Sequence, residues 1–174
     1  MSKEYLATKL ISGKSDASMK TQWWPKHSRG AARYLDLSWG DGDPAGLKSI
    51  RECLFSGCRD WEIAVLRSSK PGLMEEHAVL EIELVEAVVR GNVDRINRIG
   101  DLLVANVKNQ TELYTAKFDH FPVRTWHDLF NRHVGLFIES TQHRAANDDR
   151  NFVECEERRQ VNTLALAAFT AEWL

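Results

Sequence analysis

Two histidines and one glutamate carry the spacing from which a metal or ligand site could be built. His77 and Glu81 are four residues apart, which on a helix stacks imidazole and carboxylate one turn apart on the same face. His133 lies 56 residues after His77, in a stretch that repeats its surroundings. Leu73, His77, Leu80, Ile82 and Glu83 correspond to Leu129, His133, Leu136, Ile138 and Glu139. Both histidines fall on the apolar stripe of their segments, so both point inward. Imidazole and carboxylate are ligands for transition metals, and the core of a helical bundle is where such sites are built. Asn106 and Gln110 share the inner face of the following segment and complete a ligand-binding set of His77, His133, Asn106 and Gln110. The metal set is His77, Glu81 and His133, with His143 and Asp148 as a further pair. A structural alternative stays open: two core histidines satisfied by Asn106, Gln110 or backbone carbonyls. No catalytic residue is singled out, and the cofactor is expected to be a transition metal or none.

Three resemblances bear on this set. His77-x3-Glu81 and His143-x4-Asp148 resemble the second- and fourth-helix ligand pairs of hemerythrin-like proteins, which implies a di-iron four-helix bundle. The third-helix His-x3-His pair of that family is missing, and Phe137 stands where a second copy of Glu81 would fall. Glu76-His77-Ala-Val-Leu-Glu81, with Gly91-Asn92 following, resembles a segment of the helical effector domains of GntR-type regulators, which implies that His77 binds a metal. No winged-helix reader precedes it. Glu76-His77, Leu102-Leu103-Val-Ala-Asn106-Val-Lys-Asn-Gln110, and Leu129 with His133 also resemble small uncharacterised bacterial helical proteins whose helices repeat (Asp/Glu)-His-x-x-Leu. That likeness spans residues 73–140 and implies a fold more than an activity.

Other motifs are weaker. Asp41-x-Asp43-x-x-Gly46-x5-Glu52 matches four positions of a calcium-binding EF-hand loop, but Ala45 stands at an oxygen-ligand position. Asp43 followed by Pro44 is equally a helix cap with proline at the first helical position. No glycine-rich phosphate loop or nucleophile elbow is present, and no cysteine has a histidine at a motif spacing, which disfavours a nucleophilic hydrolase.

The elements that must position these residues read as helices throughout. Residues 1–40 have no sustained period and are rich in lysine and arginine; they are expected to form a flexible or loosely docked arm, with a short helix around 29–37. Trp23 and Trp24 must dock somewhere, on the body of the protein or on a partner. Leu47, Ile50, Leu54, Cys58, Trp61 and Val65 make one face of a helix over 44–68. Residues 72–117 and 124–174 read as two helical hairpins, with Thr125 as an N-cap. The Asn92-Val-Asp-Arg95 turn is echoed by Asn147-Asp-Asp-Arg150, one step out of register. The expected architecture is all-α: a four-helix bundle of two tandem hairpins with an extra N-terminal helix, forming one domain over 41–174.

Composition narrows the partners. The 174 residues suffice for one domain with a real core. A formal net charge of -2 argues against a general nucleic-acid binder. No apolar run approaches a membrane span, and the N-terminus carries no apolar signal core. Three cysteines are too few and too odd for a disulfide framework, so a cytoplasmic protein is expected. The functional expectation is a small ligand or metal held in a His-lined interior pocket, with enzymatic activity disfavoured. The competing expectation is a non-catalytic scaffold acting as a homodimer through the Trp pair, the basic arm and the C-terminal Glu172-Trp173-Leu174.

Overall fold

A computed structural model describes residues 15–39, 43–66 and 72–174. They form six helices: α1 (Ser15–Trp39), α2 (Pro44–Leu66), α3 (Leu73–Val89), α4 (Val93–Lys117), α5 (Val123–Ala145) and α6 (Asp149–Trp173). There is no strand among the described residues, so the chain is all-helical, as its periodicity predicts. No helix among them is long and apolar enough to cross a membrane. Each helix packs on its neighbours in sequence, α6 packs back on α1, and α3 also touches α1 and α5.

The arm expected over residues 1–40 is, from Ser15 to Trp39, a packed 25-residue helix. Pro25 and Gly30 interrupt the helical pattern in the sequence. Tertiary packing overrides them, because Trp23, Trp24, His27, Ala31, Tyr34 and Leu35 form one buried stripe at helical spacing. Trp24 Nε1 donates to Thr170 Oγ1 at 2.9 Å, and Trp23 Nε1 donates to the Gly57 carbonyl at 2.9 Å. The tryptophan pair therefore docks on the protein's own body. Gly30 allows α1 and α2 to approach closely, since a Cβ there would meet Leu54 Cδ2 at 2.7 Å. Instead of four helices with a fifth beside them, the described chain has two full N-terminal helices before the hairpins.

The caps explain where each helix begins and ends. Asp43 accepts from the N–H groups of Ala45 and Gly46 at 3.0 and 3.1 Å, which is the capping reading of that segment. Asp41, the other aspartate of the EF-hand match, lies outside the described residues. α3 has no cap from its own sequence. The Glu62 carboxylate of α2 accepts from Gly72 N–H at 2.7 Å and Met74 N–H at 2.9 Å, fixing the start of the helix that bears His77 and Glu81. α5 begins at Val123 behind Pro122, so Thr125 lies inside its first turn rather than at the cap.

Both hairpin turns close alike. At the end of α3, Gly91 N–H bonds Val88 O and Asn92 N–H bonds Ala87 O, with Gly91 at φ 64°. At the end of α5, Asn147 N–H bonds Arg144 O and Asp148 N–H bonds His143 O, with Asn147 at φ 55°. Asn92 then caps α4 through Arg95 N–H, and Asp148 caps α6 through Asn151 N–H. Each pair of matching residues is 56 apart, so the turns stand in register with His77 and His133, not one step out of it.

Candidate metal centre

α1, α3 and α5 each bring one histidine inward, and α3 adds Glu81. His27, His77, Glu81 and His133 are all buried, and one ligand atom from each lies within 4.8 Å of the others. Glu81 Oε2 is 3.0 Å from His27 Nε2; Oε1 is 3.4 Å from His77 Nε2 and 3.6 Å from His133 Nε2. The three imidazole centroids stand 5.7, 5.8 and 6.1 Å apart, and the rings are inclined to one another by 39–40°. The arrangement is close to threefold, with the carboxylate facing the ring edges.

Despite these distances, neither Glu81 oxygen and none of the three Nε2 atoms has a hydrogen-bond partner of good geometry. A nitrogen 3.0 Å from a carboxylate oxygen yet misaligned for N–H···O is aimed past the oxygen. These atoms lie close together in the interior without pairing in good geometry. A buried carboxylate without a donor is costly, and a fully buried ion more so.

The second ring of contacts holds the imidazoles in place. Trp23 stacks on His27 at 4.8 Å, Phe130 lies 4.9 Å from His77, and Trp24 meets His133 edge-on at 5.4 Å. His27 Nδ1 faces the Cys58 thiol at 3.9 Å, whereas Nδ1 of His77 and His133 has no protein partner. Arg159 ties α6 to α1 beside the centre: its Nη2 donates to the Ser28 carbonyl at 2.8 Å, one residue after His27, while Glu156 balances its charge.

Electrostatics bears on two members of the cluster, Glu81 and His133. Burial alone would raise the Glu81 pKa; the His77 and His27 imidazoles and the close approach of His133 outweigh it and hold the carboxyl well below its usual range. Burial pushes the His133 imidazole down to about 4, against the pull of Glu81. The carboxylate is ionised and this imidazole neutral at pH 7, as ligation demands. Burial, followed by the fields of Glu81, Glu62 and Glu75, drives the Cys58 thiol well upward, so it stays a neutral thiol.

The structure brings together three of the residues singled out in the sequence, His77, Glu81 and His133. Asn106 and Gln110 are buried, but they form a separate ladder. Asn106 Nδ2 donates to Leu73 O and Glu76 Oε2, Gln110 Nε2 to Asn106 Oδ1, and Tyr114 OH to Gln110 Oε1. The α6 counterpart of Asn106 is Asn162, whose Nδ2 donates to Leu129 O, again 33 residues back. These amides tie a hairpin's second helix to its first and do not satisfy the imidazoles. His143 and Asp148 sit at the α5–α6 turn, partly exposed, 3.5 Å from each other and outside the buried group. His27 and Cys58 are the residues that sequence reasoning missed. A signal for His27 existed: an apolar residue precedes each ligand histidine by one turn, Trp23, Leu73 and Leu129. No protein-family model, curated protein or solved structure matches the chain.

Proposed function

We propose that the protein binds one divalent transition-metal ion through Nε2 of His27, His77 and His133 and the carboxylate of Glu81. The observation that carries this is the Glu81 carboxylate, fully buried, with three imidazole edges around it and no hydrogen bond from any of them. A cation among them gives the Glu81 carboxylate and the three Nε2 atoms a common partner. Two ligands about 2.0–2.1 Å from a common ion stand about 2.9 Å apart at a right angle and about 3.4 Å apart at a tetrahedral angle. The oxygen–nitrogen distances of 3.0 and 3.4 Å fall in that range, and the third, 3.6 Å, lies just beyond it. Mixed imidazole and carboxylate donors suit zinc, iron, nickel and related ions. Aromatic rings 4.8–5.4 Å from each imidazole fill the surroundings, which favours an ion over an organic ligand.

The ion's role in this proposal is to bind and hold, because its ligands come from the first helix of each successive hairpin and are closed off from solvent. Metal binding and folding are then coupled. Hairpins 72–117 and 124–174 are read as tandem copies, supported by the matched caps, turns and Asn106/Asn162 bonds. Residence in the reducing cytoplasm goes with three free cysteines. The homodimeric scaffold loses its main support, since Trp23 and Trp24 are buried in their own chain.

Elemental analysis of protein purified without a histidine tag, followed by zinc titration of the chelator-treated protein, tests the proposal. About one equivalent of metal is expected, with His27→Ala and Glu81→Gln each reducing it. Trace metal on purification together with no uptake on titration would overturn it.

A further inference from the structure

How Glu81 meets the ion decides what ion the site takes. A carboxylate that ligates through one oxygen commonly turns the other to a hydrogen-bond donor, as ligating carboxylates are themselves hydrogen-bonded. Glu81 has no well-aligned donor of that kind, and its near neighbours are the three imidazole nitrogens themselves. Both oxygens are buried and without a hydrogen bond, and both face imidazole nitrogens. They divide the triangle between them: Oε2 approaches His27 at 3.0 Å, while Oε1 approaches His77 at 3.4 Å and His133 at 3.6 Å. Ligation through Oε1 alone would strand Oε2 in a dry interior, and ligation through Oε2 alone would strand Oε1. Both oxygens are satisfied only when both bind.

Resting on the metal reading above, we infer that Glu81 chelates the ion through both carboxylate oxygens. The chain then supplies five donors, three imidazole nitrogens and two oxygens, and the site is built for a divalent ion that accepts five or six ligands. Manganese(II), iron(II), cobalt(II) and nickel(II) meet that requirement, whereas the closed four-ligand set of a structural zinc site does not describe it. Three neutral imidazoles and one carboxylate leave a divalent ion with a net charge of +1.

Cobalt(II) loaded into the full chain reports the donor count directly. Four-coordinate cobalt(II) absorbs visible light several-fold more strongly than the five- or six-coordinate ion. The expected spectrum is the weak one. X-ray absorption on the same sample should count five or six nitrogen and oxygen donors, together with the short metal–carbon distance that a chelating carboxylate imposes. An intense four-coordinate spectrum with four donors and no such carbon would overturn the chelate and leave the metal reading standing. Failure to take up cobalt, zinc or manganese would overturn both.

Discussion

Replacing His77 and His133 by leucine tests the electrostatic design of the centre, and Glu81 decides the sign of the result. Leucine is the residue that an apolar helical stripe would normally carry, so on packing grounds the double variant should be at least as stable as the parent. But Glu81 sits in their midst, buried, with Oε1 3.4 and 3.6 Å from the imidazoles that are lost and only His27 remaining, at 3.0 Å from Oε2. Breaking the partnership of a buried charge costs about 3–5 kcal/mol. The carboxylate can escape by taking up a proton, which caps the loss near the lower end of that range. For a chain of this size 1 kcal/mol moves the melting temperature by about 2–4 °C, so a drop of about 6–12 °C is expected for a loss of about 3 kcal/mol. Adding Glu81→Leu removes the stranded charge. Buried ion clusters replaced by apolar residues are often neutral or stabilising by about 1–4 kcal/mol, so the triple variant should melt at or above the parent. Thermal unfolding of all three proteins with excess chelator at pH 7 makes the comparison metal-free. The reasoning fails if the double variant melts with the parent, or if Glu81→Leu lowers its melting temperature further.

Stability of the metal-free protein should fall as pH drops from about 6.5 to about 4. Unfolded His133 takes up its proton near 6.5, the folded residue only near 4, so between these values the unfolded chain holds more protons and acid favours it. The full window is worth about 3 kcal/mol, of which about 2 should already be lost at pH 5; Glu81, with its depressed pKa, adds a loss in the same direction below about 4.5. Denaturant unfolding in chelator at pH 7 and pH 5 measures it, and equal stability at both, or a slope unchanged in His133→Leu, contradicts it. Cys58→Ala should weaken metal affinity about 10–100-fold by removing the group that faces His27 Nδ1, as loss of outer-shell partners typically does. Competition titration against a chelator reads the affinity, with Cys58→Ser expected to retain more of it; an unchanged affinity in Cys58→Ala would remove the thiol from the site.

The sequence exposes the parts of the site that depend on local spacing and hides those that depend on helix packing. His77-x3-Glu81 is legible because one helical turn separates the two residues, and His133 because its surroundings repeat those of His77. His27 is hidden because its helix is polar on average and contains Pro25 and Gly30, so the local pattern reads as an arm. Its inward stripe becomes a stripe only when α2, α3, α5 and α6 are there to cover it. Cys58 is 31 residues from His27, and no spacing rule joins them. Asn106 and Gln110 are legible as buried amides, but the Leu73 carbonyl and Glu76 become partners only through the way α4 lies along α3. The expectation of four helices with one more beside them has the same origin: with α1 read as an arm, the hairpins 72–117 and 124–174 make up the bundle.

The residues one turn after each histidine bear on whether the metal proposed for this centre is one ion or two. They are Ala31, Glu81 and Phe137, so the three-histidine set carries one carboxylate. Ala31 and Phe137 are both buried and apolar, and the Arg159 guanidinium lies 5.6 Å from the Phe137 ring centroid, placing a positive charge where a second acid would fall. A dinuclear centre of the kind implied by the hemerythrin-like spacing needs carboxylates to bridge its metals and offset their charge, and its second ligand pair, His143 and Asp148, stands at the surface turn. Two divalent ions beside a single carboxylate would place a net charge of +3 in a dry interior; one ion leaves +1. Repulsion between like charges a few ångströms apart amounts to kilocalories per mole in a protein interior, so the proposal is for one ion held by three imidazoles and Glu81.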